Sequence, residues 1–248
     1  MNFEKKKVDL IIQARMGSTR LPGKSLFDLA GEPLVGRILE RVKKCKNIDD
    51  VILAIPDTKE NIPLKDLALK YSVNVFQGSE NDLVERYYKA AKKFKSEYIC
   101  RLPADNPTPE HLEIDKMIEH HLKSNKKGFS TNLAQVNGSG YPDGIGVEIF
   151  NIELLKEIFF HDYDSKKREH LHLNFFNYES GKAVDPEWCP INTMQCPKEY
   201  SRPDLILDVN TNDQYLFMKS LYEYLYPKNS DFGITDIINW YDNIYKKL

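Results

Sequence analysis

Four short apolar runs with helix-period segments between them dominate the first hundred residues: VDLIIQA (8–14), VILAI (51–55), VNVF (73–76) and EYICRL (97–102). Short, predominantly apolar runs of this length read as strands buried on both faces. Between the first two, Pro33 opens a segment with Leu34, Ile38, Leu39, Val42 and Cys45 at helical spacing. Residues 61–72 place Leu64, Leu67, Ala68 and Tyr71 on one helical face. Ser79 with Asp82 three residues later predicts a capping box, and Leu83, Tyr87, Ala90, Ala91 and Phe94 continue a third helix. The order is β-α-β-α-β. Such a chain forms an α/β fold with a mostly parallel sheet covered by helices on both faces, and ligands gather at the carboxyl ends of its strands.

The second half is less regular. Residues 129–150 predict two strands joined by a Gly-rich loop, 151–159 a helix, KKREHLHLNFFNYE (166–179) a further helix, and DLILDV (204–209) a strand followed by two closing helices. Residues 180–203 are Pro-rich and aperiodic, and are expected to form an irregular insertion or dimer arm on a single domain spanning 1–248.

A Gly-rich turn follows the first run. GSTRLPGKS (17–25) resembles a P-loop, but that loop needs four residues between its glycines, and here five separate Gly17 from Gly23. Pro22 also removes a backbone donor. What remains is a turn carrying Arg15, Arg20 and Lys24, which still points to phosphate held in another geometry. The net charge of −2 gives no general attraction to nucleic acid or anionic membrane, so these cations must act locally. No apolar run approaches the ~20 residues of a bilayer span, and the opening residues lack the pattern of a signal peptide. The four scattered cysteines lack a CxxC pair. A cytoplasmic protein with reduced thiols is expected.

Asp105 lies just past the fourth run. A carboxylate there, facing a cationic loop at another strand end, can hold a divalent metal between itself and nucleotide phosphates, with Mg²⁺ the natural ion. The plainer alternative is that it caps the turn before Pro107.

With these residues in view, IIQARMGSTRLPGKSL resembles the signature of the CMP-sugar synthetases, the cytidylyltransferases that activate KDO and sialic acids, in the form xARxxSxRLPGK. VFQGSENDLVERYYKAA, RLPADNPTPE, YPDGIGVEIF, REHLHLNFF and LILDVNTNDQYLF follow in the order and spacing of the SpsF-like branch, named from spore coat polysaccharide biosynthesis. The resemblance covers residues 8 to 225. It implies a Rossmann-like three-layer nucleotidyltransferase fold, and Mg²⁺-dependent transfer of CMP from CTP to an acid sugar or other small anionic acceptor, with release of pyrophosphate, for surface glycan synthesis. It further implies that Ala14, Arg15, Gly17, Ser18, Arg20 and Lys24 hold the triphosphate, with Lys24, Arg15 and Asp105 catalytic. Gly78, Ser79, Asp82 and Arg86 match the segment that lies beside cytosine and ribose in relatives. Asp105 matches the metal aspartate, and a homodimer is expected.

Two departures stand out. Relatives carry a carboxylate where this chain has Asn210, so either Asp208 substitutes as metal ligand, or the acceptor supplies an anionic group, or activity is low; we favour the first. Relatives also commonly carry an acidic residue at Gly146, which implies a different acceptor pocket. Acceptor contacts are expected from Tyr141, Asp143, Glu148, Arg168 and His170, although Asp143 can simply make its turn and Arg168–His170 can form a solvated helix face. On a helix His170 and His172 diverge, which argues against a shared metal. His120 and His121 are expected on a solvated helix, and the aromatic run 215–226 in the core. Two alternatives stay open: cytidylyl activation of a phosphorylated or phosphonate acceptor, and a nucleotide-binding protein with lost or weak transfer.

Overall fold

The computed structural model describes residues 6–124 and 128–247 of the chain; the expectation for the opening residues falls partly on 1–5, outside them. In chain order the strands and α-helices are β1 Val8–Gln13, β2 Asp28–Leu29, β3 Glu32–Pro33, α1 Leu34–Val42, β4 Asp50–Pro56, α2 Ile62–Lys70, β5 Asn74–Gly78, α3 Leu83–Phe94, β6 Tyr98–Pro103, α4 His111–Lys123, β7 Phe129–Thr131, β8 Glu148–Asn151, α5 Ile152–His161, α6 Ser165–Glu169, β9 Phe176–Asn177, β10 Lys182–Ala183, β11 Ile191–Asn192, α7 Asn212–Leu225 and α8 Ile234–Asn243.

Seven strands form one sheet in the order β11-β7-β8-β6-β1-β4-β5. β6, β1, β4 and β5 run parallel, while β8 pairs antiparallel with both β6 and β7. Three of the apolar runs become the central strands β6, β1 and β4 because both sheet faces are covered there, and the fourth forms the half-buried edge strand β5. One face packs Leu10, Ile12, Leu53, Cys100 and Leu102 against α1, α2, α4, α7 and α8. The other packs Ile11, Ile52, Ala54 and Ile99 against α3 and α5. The result is a three-layer, mostly parallel α/β fold.

β1 lies between β4 and β6, so connections leave it in opposite directions and the chain reverses order between β1 and β6. Gln13 and Pro103 are register partners at the carboxyl ends of those two strands. The segments that follow, the cationic loop and Asp105, therefore emerge side by side at the crevice where open α/β sheets bind ligands.

Several expectations need correction. The cap of α3 is Asp82, whose carboxylate accepts from Glu85 N, while Ser79 Oγ accepts from Asp82 N one turn earlier. Residues 166–179 do not form one helix: Asp164 caps the five residues of α6, His170 leaves helical geometry at φ −119° and ψ 77°, and a 3₁₀ turn at Leu171–Asn174 leads into β9. Residues 204–209 form no strand. Their alternation is real, with Leu205, Leu207 and Val209 buried, but the segment makes only one isolated bridge, through two backbone bonds to Asp143, and one further bond to Asp105 O, rather than a ladder. Gly144, at φ +92°, permits that approach, because a Cβ there would come within 2.8 Å of the Leu207 carbonyl carbon. His121 is fully buried, with Nδ1 2.6 Å from Ser130 Oγ, and burial lowers its pKa to about 4.

Residues 180–203 contain β10, paired with β9, and β11, the parallel edge strand of the main sheet. No helix among the described residues is long and apolar enough to cross a membrane.

Candidate active site

The loop after β1 folds on itself. Ser18 N and Gly23 N both donate to Met16 O, Lys24 N donates to Leu21 O, and Ser18 Oγ accepts from Leu21 N. Ser25 Oγ ties the loop back to Arg15 O. These donors are turned inward, so the loop is no P-loop cradle; its cationic side chains face the crevice instead.

That crevice is a cavity of about 380 Å³, within the range of small-ligand sites. Twelve of the residues expected at the site line it: Ala14, Arg15, Ser18, Arg20, Lys24, Arg86, Asp105, Asp143, Glu148, His170, Asp208 and Asn210. Six are not among its lining residues: Gly17, Gly78, Ser79, Asp82, Tyr141 and Arg168. Tyr141 is a core residue, 1% exposed, whose hydroxyl donates to Glu113 at 2.6 Å. Arg168 donates through Nε to Asp82 at 2.7 Å, so these two hold α6 against the start of α3. Gly146 is also away from the cavity, and a Cβ there would meet the Asn132 carbonyl oxygen at 2.8 Å. An acidic side chain at 146 would collide with that backbone, so its absence removes no cavity wall.

Lys24 lies between the metal-ligand candidates. Its ammonium donates to Asp105 at 3.2 Å, to Asn210 Oδ1 at 3.1 Å and to Val209 O at 2.7 Å. Arg20 reaches the same Asn210 oxygen at 2.6 Å. The Asn210 amide nitrogen donates to Asp208, whose other oxygen accepts from Gln214 at 2.9 Å. Gln214 belongs to the capping box of α7 with Thr211, so the helix start fixes this strip of the wall. Burial, then the nearby Asp143 and Asp105 carboxylates, raises the Asp208 pKa to about 6.

Arg86 is 4% exposed, and its Nε has no partner among the described residues. Its Nη1 donates to Ser79 O at 3.0 Å. Burial, with Arg15 adding to it, lowers its pKa to about 10. A buried guanidinium without a carboxylate partner is a receptor for an anion.

Around the expected Glu148 and Glu169, the wall also contains residues that the sequence did not single out, Arg101, Gln13 and Gln135 first among them. Arg101 and Glu148 are register partners across β6 and β8 and form a buried ion pair at 2.5 Å. Arg101 Nε also donates to Gln13 at 3.1 Å, and Gln135 donates to Asp143 at 2.8 Å. Thr19, Glu80, Asn106, Glu169, His172 and Tyr178 complete the polar lining. With residues 166–179 bent rather than helical, His170 and His172 both face the cavity, with ring centroids 5.9 Å apart.

No cluster of three or more His, Cys, Asp or Glu suited to a metal ion occurs among the described residues. A second cavity of about 390 Å³ is lined by Arg37 and Arg41. Their guanidinium groups are already held by carbonyls of Leu29, Ala30, Pro109 and Phe232.

The cavity thus joins a cationic loop to a carboxylate pair at a sheet switch point, an arrangement suited to nucleotide phosphates. Comparison with known proteins agrees. A family model described as cytidylyltransferase matches residues 10–182. The chain is 30% identical over 224 residues to the spore coat polysaccharide biosynthesis protein SpsF of Bacillus subtilis, covering 86% of this chain and 85% of that one. It is 32% identical over 124 residues to a 3-deoxy-manno-octulosonate cytidylyltransferase of Chlorobium chlorochromatii, covering 49% and 48% of the two chains. The solved structure of a cytidylyltransferase from Leptospira borgpetersenii superposes with a TM-score of 0.83 at 30% identity, covering 98% of this chain and 94% of that one. On the family match and on overall likeness to SpsF and the Leptospira enzyme, the chain belongs to the cytidylyltransferase family.

Proposed function

We propose that the protein transfers CMP from CTP to an acid sugar or other small anionic acceptor, releasing pyrophosphate, in surface glycan synthesis. The observation that carries this reading is the meeting of Arg15, Arg20, Lys24 and Arg86, whose buried Nε is unsatisfied, with Asp105 and Asp208 in one cavity. Likeness to SpsF and to the 3-deoxy-manno-octulosonate enzymes supports the acceptor class.

In this reading the cations bind the triphosphate and orient the α-phosphorus. An acceptor oxygen forms a bond to that phosphorus as the bond to pyrophosphate breaks, and charge grows on the equatorial and leaving oxygens. Arg15, Arg20 and Lys24 would stabilise that charge. Mg²⁺ fits the residues present, since it takes about one or two carboxylates and leaves the rest to water and phosphate, and Asp105, Asp208 and the Asn210 amide oxygen are such ligands. When bound, it would shield the phosphate charges. Lys24 would then release Asp105 and turn toward the phosphates.

A second reading, a nucleotide-binding protein with weak transfer, is favoured by one feature: the Asn210 oxygen is neutral and already engaged by Lys24 and Arg20. A single-domain, cytoplasmic homodimer with 180–203 as its arm completes the proposal. Four free cysteines fit a reducing compartment, and light scattering reads the mass of the assembly.

The test is incubation with CTP, Mg²⁺ and 3-deoxy-manno-octulosonate or a sialic acid, with mass spectrometry of the products. A CMP-linked acid with stoichiometric pyrophosphate supports transfer; intact CTP with every acid offered contradicts it.

A further inference from the structure

We propose that Glu148 and Gln135 form a specificity subsite for a protonated amino group on the acceptor. This deepens the transfer reading and rests on it. Glu148 is 1% exposed; one carboxylate oxygen takes Arg101, and the other is buried with no partner among the described residues. Gln135 repeats the pattern: its amide nitrogen donates to Asp143, while its buried carbonyl oxygen has no donor. Both residues line the cavity. Two buried acceptor atoms in one binding cavity call for donors from the ligand, because an unanswered buried acceptor is costly.

Charge selects among donors. Of the five Lys and Arg residues lining the cavity, Arg15, Arg20 and Lys24 belong to the loop and Arg86 to α3; only Arg101 stands on the strands beside Glu148. Arg101 is paired with Glu148, while Asp143 on the same wall accepts from the neutral Gln135 amide and has no ion pair among the described residues, leaving this wall one negative charge in excess. His172 adds no charge, since burial and then Arg101 lower its pKa to about 3. An ammonium group balances the wall, a hydroxyl satisfies its oxygens without balancing it, and a phosphate or phosphonate is repelled.

Three matched acids read this out on the full chain loaded with CTP and Mg²⁺: glucosaminate, with an ammonium group; gluconate, with a hydroxyl in its place; and 6-phosphogluconate. Titration calorimetry follows a thermal-shift measurement with CTP alone. Glucosaminate is expected to bind tightest and 6-phosphogluconate weakest. Glu148→Gln should weaken glucosaminate roughly 10- to 100-fold, the range for a hydrogen bond to a charged group, while the CTP response stays. Gln135→Met, which leaves the Arg101–Glu148 pair intact, should weaken it in the same direction. Gluconate binding as well as glucosaminate, 6-phosphogluconate binding best, variants without effect, or no acid binding a chain that responds to CTP would each overturn the subsite. A chain that fails to respond to CTP removes the transfer reading itself, and the subsite with it.

Discussion

Replacing Asn210 by Asp probes the metal arrangement most sharply. The Asn210 oxygen lies 2.6 Å from Arg20 and 3.1 Å from Lys24, while its amide nitrogen donates to Asp208. A carboxylate here gains two cations and opposes Asp208 and Asp105, so its effect on the metal-free protein largely cancels. A bound divalent ion breaks that balance. A unit charge ~4 Å from another is worth about 1 kcal/mol even at the dielectric constant of water, hence about 2 kcal/mol for Mg²⁺, or roughly 30-fold in affinity. The assay is the Mg²⁺ concentration for half-maximal pyrophosphate release at fixed CTP and acceptor, with thermal unfolding of the metal-free variant as control. Asn210→Asp should lower that concentration by about this factor while the melting temperature changes little. An unchanged or raised Mg²⁺ requirement would refute the placement of a metal beside Asn210.

Glu148→Ala leaves the Arg101 guanidinium, 3% exposed, without its partner and should cost about 3–5 kcal/mol in urea unfolding; Arg101→Met with Glu148→Leu should recover most of it, and a single-variant loss below about 1 kcal/mol would contradict the buried pair. Asp208→Asn should stabilise at pH 8 and not at pH 4. The raised pKa, about 6, means that ionised Asp208 opposes folding: the penalty is absent below the unfolded value, grows through pH 4–6 and is full above it. Partial exposure reduces the gain to about 1 kcal/mol, and an equal change at both pH values would refute the cause. Gly146→Asp should destabilise by about 1–3 kcal/mol through collision with Asn132 while CTP stabilisation is retained; loss of the CTP response at unchanged stability would place residue 146 in the site after all.

The parallel half of the fold was legible because β1, β4, β5 and β6 are apolar-rich runs separated by helix-period segments, while the pairing of Gln13 with Pro103 came only with the sheet order. The loop cations and Asp105 followed from that, since each lies just past a strand end. The second half obeyed longer-range constraints. Residues 204–209 alternate like a strand because one side packs on the core, but the neighbouring segments offer only one isolated bridge at Asp143 and a single bond at Asp105. Residues 166–179 carry helical spacing, yet Phe175 and Phe176 are needed beside Phe129 and Phe150, and the chain bends to bring them there. Arg101 sat in a run read only as a buried strand, and no local pattern pairs it with Glu148, 47 residues away; the antiparallel register of β8 does. Tyr141, expected at the acceptor, was drawn into the core by Glu113.

The account's central claim is tested most directly by thermal stabilisation with CTP, UTP, ATP and GTP, each with and without Mg²⁺. At about 100 times its dissociation constant a ligand adds ~2.7 kcal/mol, which for a chain of this length is a rise of roughly 5–10 °C. CTP with Mg²⁺ should give a rise of that size, well above the other three nucleotides, and Arg86→Ala should reduce it. Equal responses to all four, or none, would contradict the assignment of this cavity to CTP.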